Sequence, residues 1–361
     1  MEVKKILLIG EYSSLFSNLK RGFEKINKYV EFYHDGDGNK KIPYTKNSYK
    51  LKGNSKYKIF NSLIYPLFNI KKLKEFDVVY IINPKFVNIY LMKKCFKTLK
   101  KNNKKVYILS CGGSFELFQT YKLRVFDYYM YDHDNVLNRK ERSVYEKRFI
   151  GKILSRIENY IFKNCDGIIP SAYEYSVPFE KYKNLKNVIP FPFDISSINS
   201  EKDKKENKKI IIYHGITRAE QKGSYYITEA MNNIKNKYPD RVEIIINEIM
   251  PYDQYKKAIE KADIIMDQCK SYAWGMNAIL SMAEGKVVFS GAEKETLNAF
   301  GLEKCPIINI RPSVQDIEDK LEELILNPNK IKELSKEGIN FVKEFHDCKK
   351  IAEKYLEVAE E

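Results

Sequence analysis

Short apolar runs alternate with segments of helical period almost from end to end of the chain. In the first half, runs at 4–9, 30–34, 77–82, 105–110 and 166–170 have strand length, and the spacing between them predicts helices near 14–27, 87–100 and 141–163. After residue 209 the alternation restarts. Strands are predicted at 210–214, 242–247, 263–266, 286–289 and 306–309, with helices near 222–236, 252–261 and 275–284. Three further helices, near 313–326, 328–344 and 346–359, close the chain. Such alternation builds parallel α/β units, because two parallel strands need a crossover and a helix supplies it. The break falls at SEKDKKENKK, 200–209, ten residues without an apolar side chain, which reads as a solvated linker. The expected fold class is α/β with two Rossmann-like domains, 1–195 and 210–340. A C-terminal helix within 341–361 can cross back to the first domain. Two such domains on a hinge would face each other across a cleft at their strand C-terminal ends, where open α/β sheets bind ligands.

Composition narrows the setting. A chain of 361 residues suits two domains better than one. Its longest apolar runs, ILLIG at 6–10 and VVYII at 78–82, fall far short of the roughly 18 residues of a spanning helix. The opening MEVKKILLIGEY is too short in apolar residues for a secretory signal and reads as a first strand. The six cysteines form no CxxC pair and have no histidine at ligand spacing, which argues against a disulfide framework or zinc site and suits a reducing cytoplasm. The net charge of +15 is uneven: residues 1–200 hold 37 Lys and Arg against 19 Asp and Glu, and the remainder 26 against 29. A basic half attracts polyanions or anionic lipid. Within it, YKIFNSLIYPLFNIKKLK at 57–74 reads either as a segment lying in a bilayer headgroup region or as a core helix broken by Pro66.

The first strand is followed by GEYSSLF, with one glycine where a dinucleotide site needs GxGxxG, so a dehydrogenase reading fails. Gly10 and Ser13, with Ser14, are acceptor-site candidates; the plainer alternative is a strand-to-helix turn capped by serine. DGDG at 35–38 resembles a metal motif, but Lys46 stands where a calcium loop needs its bidentate glutamate, so a turn is expected and no metal. Paired Gly112 and Gly113 in CGGS can bring backbone N–H groups close to an acceptor, or can simply make a tight turn.

The second half is richer. YHGITRAEQKGSYYI at 213–227 puts Gly215, Arg218 and Lys222 in the turn after a strand, where two cations would neutralise a departing diphosphate. ADIIMDQCKSYAWGMNAILSMAEGKVVFSG at 262–291 reads as strand, loop, helix and strand, with Gly275, Met276 and Asn277 opening the helix. Here the sequence resembles the retaining GT-B glycosyltransferases of family 4, over the second half and back to CDGIIPSAYEYSVPF and NVIPFPFD within 165–194. The resemblance implies a GT-B fold and donor-diphosphate contacts from Arg218 and Lys222. It also implies two glutamates ahead of MAEGK, 282–286, where this chain has Tyr272 and Leu280. DQ, GMNA and GKVV in these places resemble a bacterial polysaccharide-assembling subgroup lacking that pair. Polar candidates for the donor are then Asp267, Gln268, Asn277 and Glu293, with Tyr252 beside the base, and His133 is a candidate at the acceptor.

The expectation is transfer of a hexose, with retention and without a metal or other cofactor. The donor would be a nucleoside diphosphate sugar, a UDP-sugar by preference. The acceptor would be a lipid-linked or surface polysaccharide such as capsule or O-antigen, on the inner face of the cell membrane. Partners are the donor, the acceptor and an anionic membrane surface, with no nucleic acid. A nucleotide-sugar 2-epimerase and a non-catalytic polyanion- or partner-binding protein are the alternatives.

Overall fold

The computed structural model describes residues 2–37, 42–51, 60–130, 148–198, 209–248 and 258–361. The chain divides into two compact units, one of Met1–Val125, Leu137–Pro192 and Cys348–Glu361, the other of Phe126–Val136 and Phe193–Asp347.

The first unit runs β1 (Lys5–Ile9), α1 (Leu15–Lys25), β2 (Tyr29–His34), β3 (Ser48–Lys50), α2 (Tyr65–Lys72), β4 (Val78–Ile81), α3 (Ile89–Asn102), β5 (Lys105–Ser110), α4 (Phe115–Lys122), α5 (Arg148–Asn164), β6 (Gly167–Pro170) and α6 (Tyr173–Ser176). Its six strands lie in the order β3-β2-β1-β4-β5-β6, all parallel. The alternation of side chains along each strand divides the core between two faces. Leu7, Ile9, Val79 and Ile81 pack under α2, α3 and α5 on one side. Ile6, Leu8, Val78 and Tyr80 pack on the other, under α1 and the last helix of the chain.

The second unit runs β7 (Ile210–Gly215), α7 (Ala219–Lys222), α8 (Ser224–Lys237), β8 (Val242–Asn247), β9 (Ile264–Met266), α9 (Met276–Ala283), β10 (Val287–Ser290), α10 (Lys294–Phe300), β11 (Ile308–Asn309), α11 (Val314–Leu326) and α12 (Pro328–Phe345). Its sheet is parallel in the order β11-β10-β9-β7-β8. The closing helix, α13 (Cys348–Glu360), lies on the first unit. Two buried tyrosines of the first unit's sheet hold it there, the Tyr80 hydroxyl donating to the Tyr355 carbonyl at 2.6 Å and Tyr107 to the Val358 carbonyl at 2.9 Å.

The ten expected strands are present, within a residue or two of the expected bounds. Strand β3 was not anticipated, since a three-residue polar edge strand carries no apolar run. Pro66 stands in the first turn of α2, directly after the π-helical turn Phe60–Ile64, so the helical run changes type at the proline. The helices expected at 141–163 and 252–261 lie partly outside the described residues, as does nearly all of the linker.

Candidate functional site

In an open α/β sheet the ligand crevice opens where strand order reverses, beyond the strand C-terminal ends. In the second unit that point lies between β7 and β9. The turn leaving β7 is locked against the loop leaving β9. Gly223, at φ +70°, ends α7; a Cβ there would meet Cys269 Sγ at 2.4 Å, so only glycine allows the approach. The Cys269 N–H donates to the Lys222 carbonyl at 2.9 Å.

This clamp carries Lys222 to the switch point. The residue is 8% exposed, and its ammonium donates to Asp267 Oδ1 at 3.0 Å. Asp267 also accepts from Asn277 Nδ2 at 2.8 Å and Ser290 Oγ at 3.1 Å. Burial alone would raise the pKa of this carboxyl; the Lys222 charge and the three donors outweigh it and hold it below the ordinary value. Asp267 is the only hydrogen-bond partner of this ammonium among the described residues, and an ammonium has three donors. Arg218 is one helical turn earlier, its carbonyl accepting from the Lys222 N–H at 3.0 Å, and it is exposed. The two cations therefore share one turn, one buried and oriented, the other facing solvent.

Around them, Gly215 ends β7, and Gly275 precedes α9 with open space where a side chain would stand. Met276 and Asn277 form the first turn of α9, half-buried, with the Asn277 amide engaged by Asp267. The Gln268 amide donates to the Ala273 carbonyl and braces its own loop. Trp274 is 3% exposed and donates from its indole to His346 Nε2, which makes it a packing residue. Glu293 is 5% exposed, and its oxygens accept from Tyr128, Asn309 and Arg311. Against the raising effect of burial, those partners, Arg311 foremost, hold its pKa near 2. Tyr272, where the resemblance would place a carboxylate, accepts from the Asp127 N–H at 3.0 Å and stacks on Tyr128 at 4.9 Å. Tyr252 and His133 lie outside the described residues.

His214, one residue before Gly215, ties the switch point together. Nδ1 donates to the Met266 carbonyl at 2.7 Å, which leaves Nε2 to accept from Ser224 Oγ at 2.8 Å. Burial pushes its pKa down to about 4, so it stays neutral.

In the first unit the order reverses between β1 and β4. Gly10, at φ +89°, leaves β1 where a Cβ would strike Ile82 Cγ2 at 2.3 Å. The next residue, Glu11, was not anticipated. It is 4% exposed and caps α1, accepting from the Phe16 N–H, the Ser17 N–H and the Ser17 hydroxyl. Ser14 occupies the cap position but makes no side-chain cap bond. The Ser13 N–H donates to Asp37 at 2.7 Å. Gly112 lies beside the Tyr12 ring, and Gly113 faces Lys85, whose Nζ is 3.7 Å from where a Cβ would be. Burial lowers the Lys85 pKa, opposed by the charge of Glu158. Glu158 in turn accepts from the Phe115 N–H at 2.7 Å, at the start of α4. Gly10, Ser13, Gly112 and Gly113 thus stand on the loops leaving β1 and β5, with Lys85 on the loop leaving β4. Lys85 escaped the sequence reading because a lone lysine in a loop of a lysine-rich chain carries no pattern.

Glu11 and His214 give opposite pH dependences. The folded pKa of His214, about 4 against 6.5, means that unfolding takes up a proton, so stability is lost as pH falls from 6.5 to 4, by about 3 kcal/mol. Burial raises Glu11 to about 7 from 4.5, so its contribution is complete below pH 4.5 and is lost as pH rises to 7, by about 3 kcal/mol. In Glu11→Gln the decline between pH 4.5 and 7 should vanish from the first unit, read by hydrogen exchange of its sheet. An unaltered profile would contradict this.

No protein-family model matches the chain, and no curated protein matches it in sequence. Solved structures do match. Sucrose-phosphate synthase from Thermosynechococcus elongatus is 13% identical, with a TM-score of 0.63 over 99% of this chain and 98% of that one. TarM is 12% identical, with a TM-score of 0.62 over 100% and 99%. HepE from Anabaena, solved in complex with UDP and glucose, is 10% identical, with a TM-score of 0.61 over 99% and 100%. These neighbours are GT-B enzymes, and identities this low speak to architecture alone. With two parallel sheets in Rossmann-like units and full-length matches of this kind, the chain has the GT-B fold.

Proposed function

We propose that the chain is a glycosyltransferase that moves a hexose from a nucleoside diphosphate sugar, a UDP-sugar, to a lipid-linked or surface polysaccharide acceptor. Transfer retains configuration, needs no metal and takes place at the inner face of the cell membrane. The supporting observation is the buried Lys222 ammonium at the second unit's switch point, with Arg218 in the same turn. Asp267 orients the ammonium, whose other two donors serve the diphosphate. Arg218 and Lys222 offset the charge that grows on the diphosphate as the sugar–oxygen bond breaks, the role a divalent ion takes in other transferases. Full-length likeness to HepE, solved with UDP and glucose, supports the donor class. The first unit, with Gly10, Ser13 and the 112–113 turn, takes the acceptor.

The Arg218 side chain is exposed and makes no hydrogen bond or ion pair with a described residue, and its one bond, from the Lys222 N–H, is to a backbone carbonyl that alanine keeps, so Arg218→Ala isolates chemistry from folding. Its turnover with UDP-hexose and a polysaccharide-lipid acceptor should fall about 10²–10³-fold at unchanged melting temperature. Equal turnover in variant and parent removes Arg218 from the mechanism.

A further inference from the structure

One face of the first unit stands out by its charge. Helices α2, α3 and α5 cover the same side of the sheet, and the charged side chains they carry are cations apart from Glu158, with Lys100 paired to Asp166 just beyond α5. Helix α3 has Lys93, Lys94, Lys97, Lys100 and Lys101 and no carboxylate, and α2 has two lysines and none. The one carboxylate of α5 is Glu158, 1% exposed and already bonded to the Phe115 N–H. By contrast α1 and α13, on the opposite face, mix both signs, and α11 of the second unit is mainly acidic.

The same three helices expose apolar side chains that a purely electrostatic surface would not need. Phe68 on α2 is 59% exposed, Tyr90 on α3 78%, and Phe149 on α5 77%. Between α3 and α5 the ammoniums of Lys93 and Lys97 lie over the Tyr160 ring, at 4.3 and 5.4 Å. The exposed row of α3, from Tyr90 to Lys101, borders a shallow groove. Lysines long enough to reach phosphates, interspersed with Phe and Tyr that can enter the acyl boundary, are complementary to an anionic bilayer. A soluble polyanion would satisfy the lysines and leave the phenylalanines in water.

We propose that the α2–α3–α5 face docks the protein on an anionic lipid bilayer. The inference deepens the lipid-linked acceptor proposed above and rests on that reading for its purpose. The test is co-sedimentation with vesicles of phosphatidylcholine alone or with about a third phosphatidylglycerol, at low and high salt. The parent should sediment with the anionic vesicles only, and less at high salt. A lysine beside such a surface contributes about fivefold to partitioning, so Lys94→Gln/Lys97→Gln/Lys101→Gln should weaken it about 10²-fold. Phe68→Ser/Phe149→Ser should weaken it as well while keeping the salt dependence. A parent that stays in the supernatant, or serine variants that bind as the parent does, would overturn the proposal. The second outcome would mark a charge-only surface fit for soluble polyanions. Melting curves and UDP titration of the same variants separate the two claims. Loss of vesicle binding with UDP binding intact is expected; vesicle binding by a parent that binds no UDP would sink the transferase reading and spare this surface.

Discussion

Lys222→Ala should be the most damaging single substitution in the second unit, lowering transfer about 10²–10³-fold and stability by about 3–5 kcal/mol. The two losses have different origins. Removing the ammonium leaves the Asp267 carboxylate 2% exposed with only Asn277 and Ser290 as partners, and an unpaired buried charge is costly. The pair itself contributes far less, since two desolvated ions roughly cancel their own attraction. Lys222→Met/Asp267→Leu should therefore recover most of the stability in urea melts and none of the transfer. A double variant that transfers sugar as the parent does would assign Lys222 to folding alone.

Gly291→Ala should cost about 3 kcal/mol, at the upper end for one added methyl group. The residue follows β10, and a Cβ there would stand 1.8 Å from the Ser271 carbonyl oxygen and 3.1 Å from the Ala273 nitrogen. Both are backbone atoms of the loop between β9 and α9, so no rotamer change relieves the clash. The loop must move, and it leads from Asp267 to Gly275. Reduced donor affinity should accompany the lower melting temperature. An alanine variant with the parent's melting curve would show that the loop yields freely.

Elements were more legible in the sequence than contacts were. Strands such as VVYII at 78–82 are buried on both faces, and a continuous apolar run announces that directly. The edge strand β3 was obscured by its polar composition, and α2 was legible only as one of two readings of 57–74. The sequence flagged Lys222 and Asp267 separately, but they are 45 positions apart, and only the close approach at Gly223 brings them together. Glu293 was legible as polar and near the site; that Tyr128, 165 positions away, donates to it was not. Glu11 carries no signal in the sequence, because the burial that raises its pKa comes from the folded turn. His214 carried no assigned role in the sequence, and in the fold it joins β7, β9 and α8.

The account rests on a diphosphate held by cations at the β7 turn, and calorimetric titration of UDP with a chelator present measures that directly. Saturable binding by the parent is expected, weakened at least tenfold in Arg218→Ala and in Lys222→Met/Asp267→Leu, each of which removes a charge-assisted contact. Equal affinity in all three proteins, or heat only after a divalent ion is restored, would contradict it.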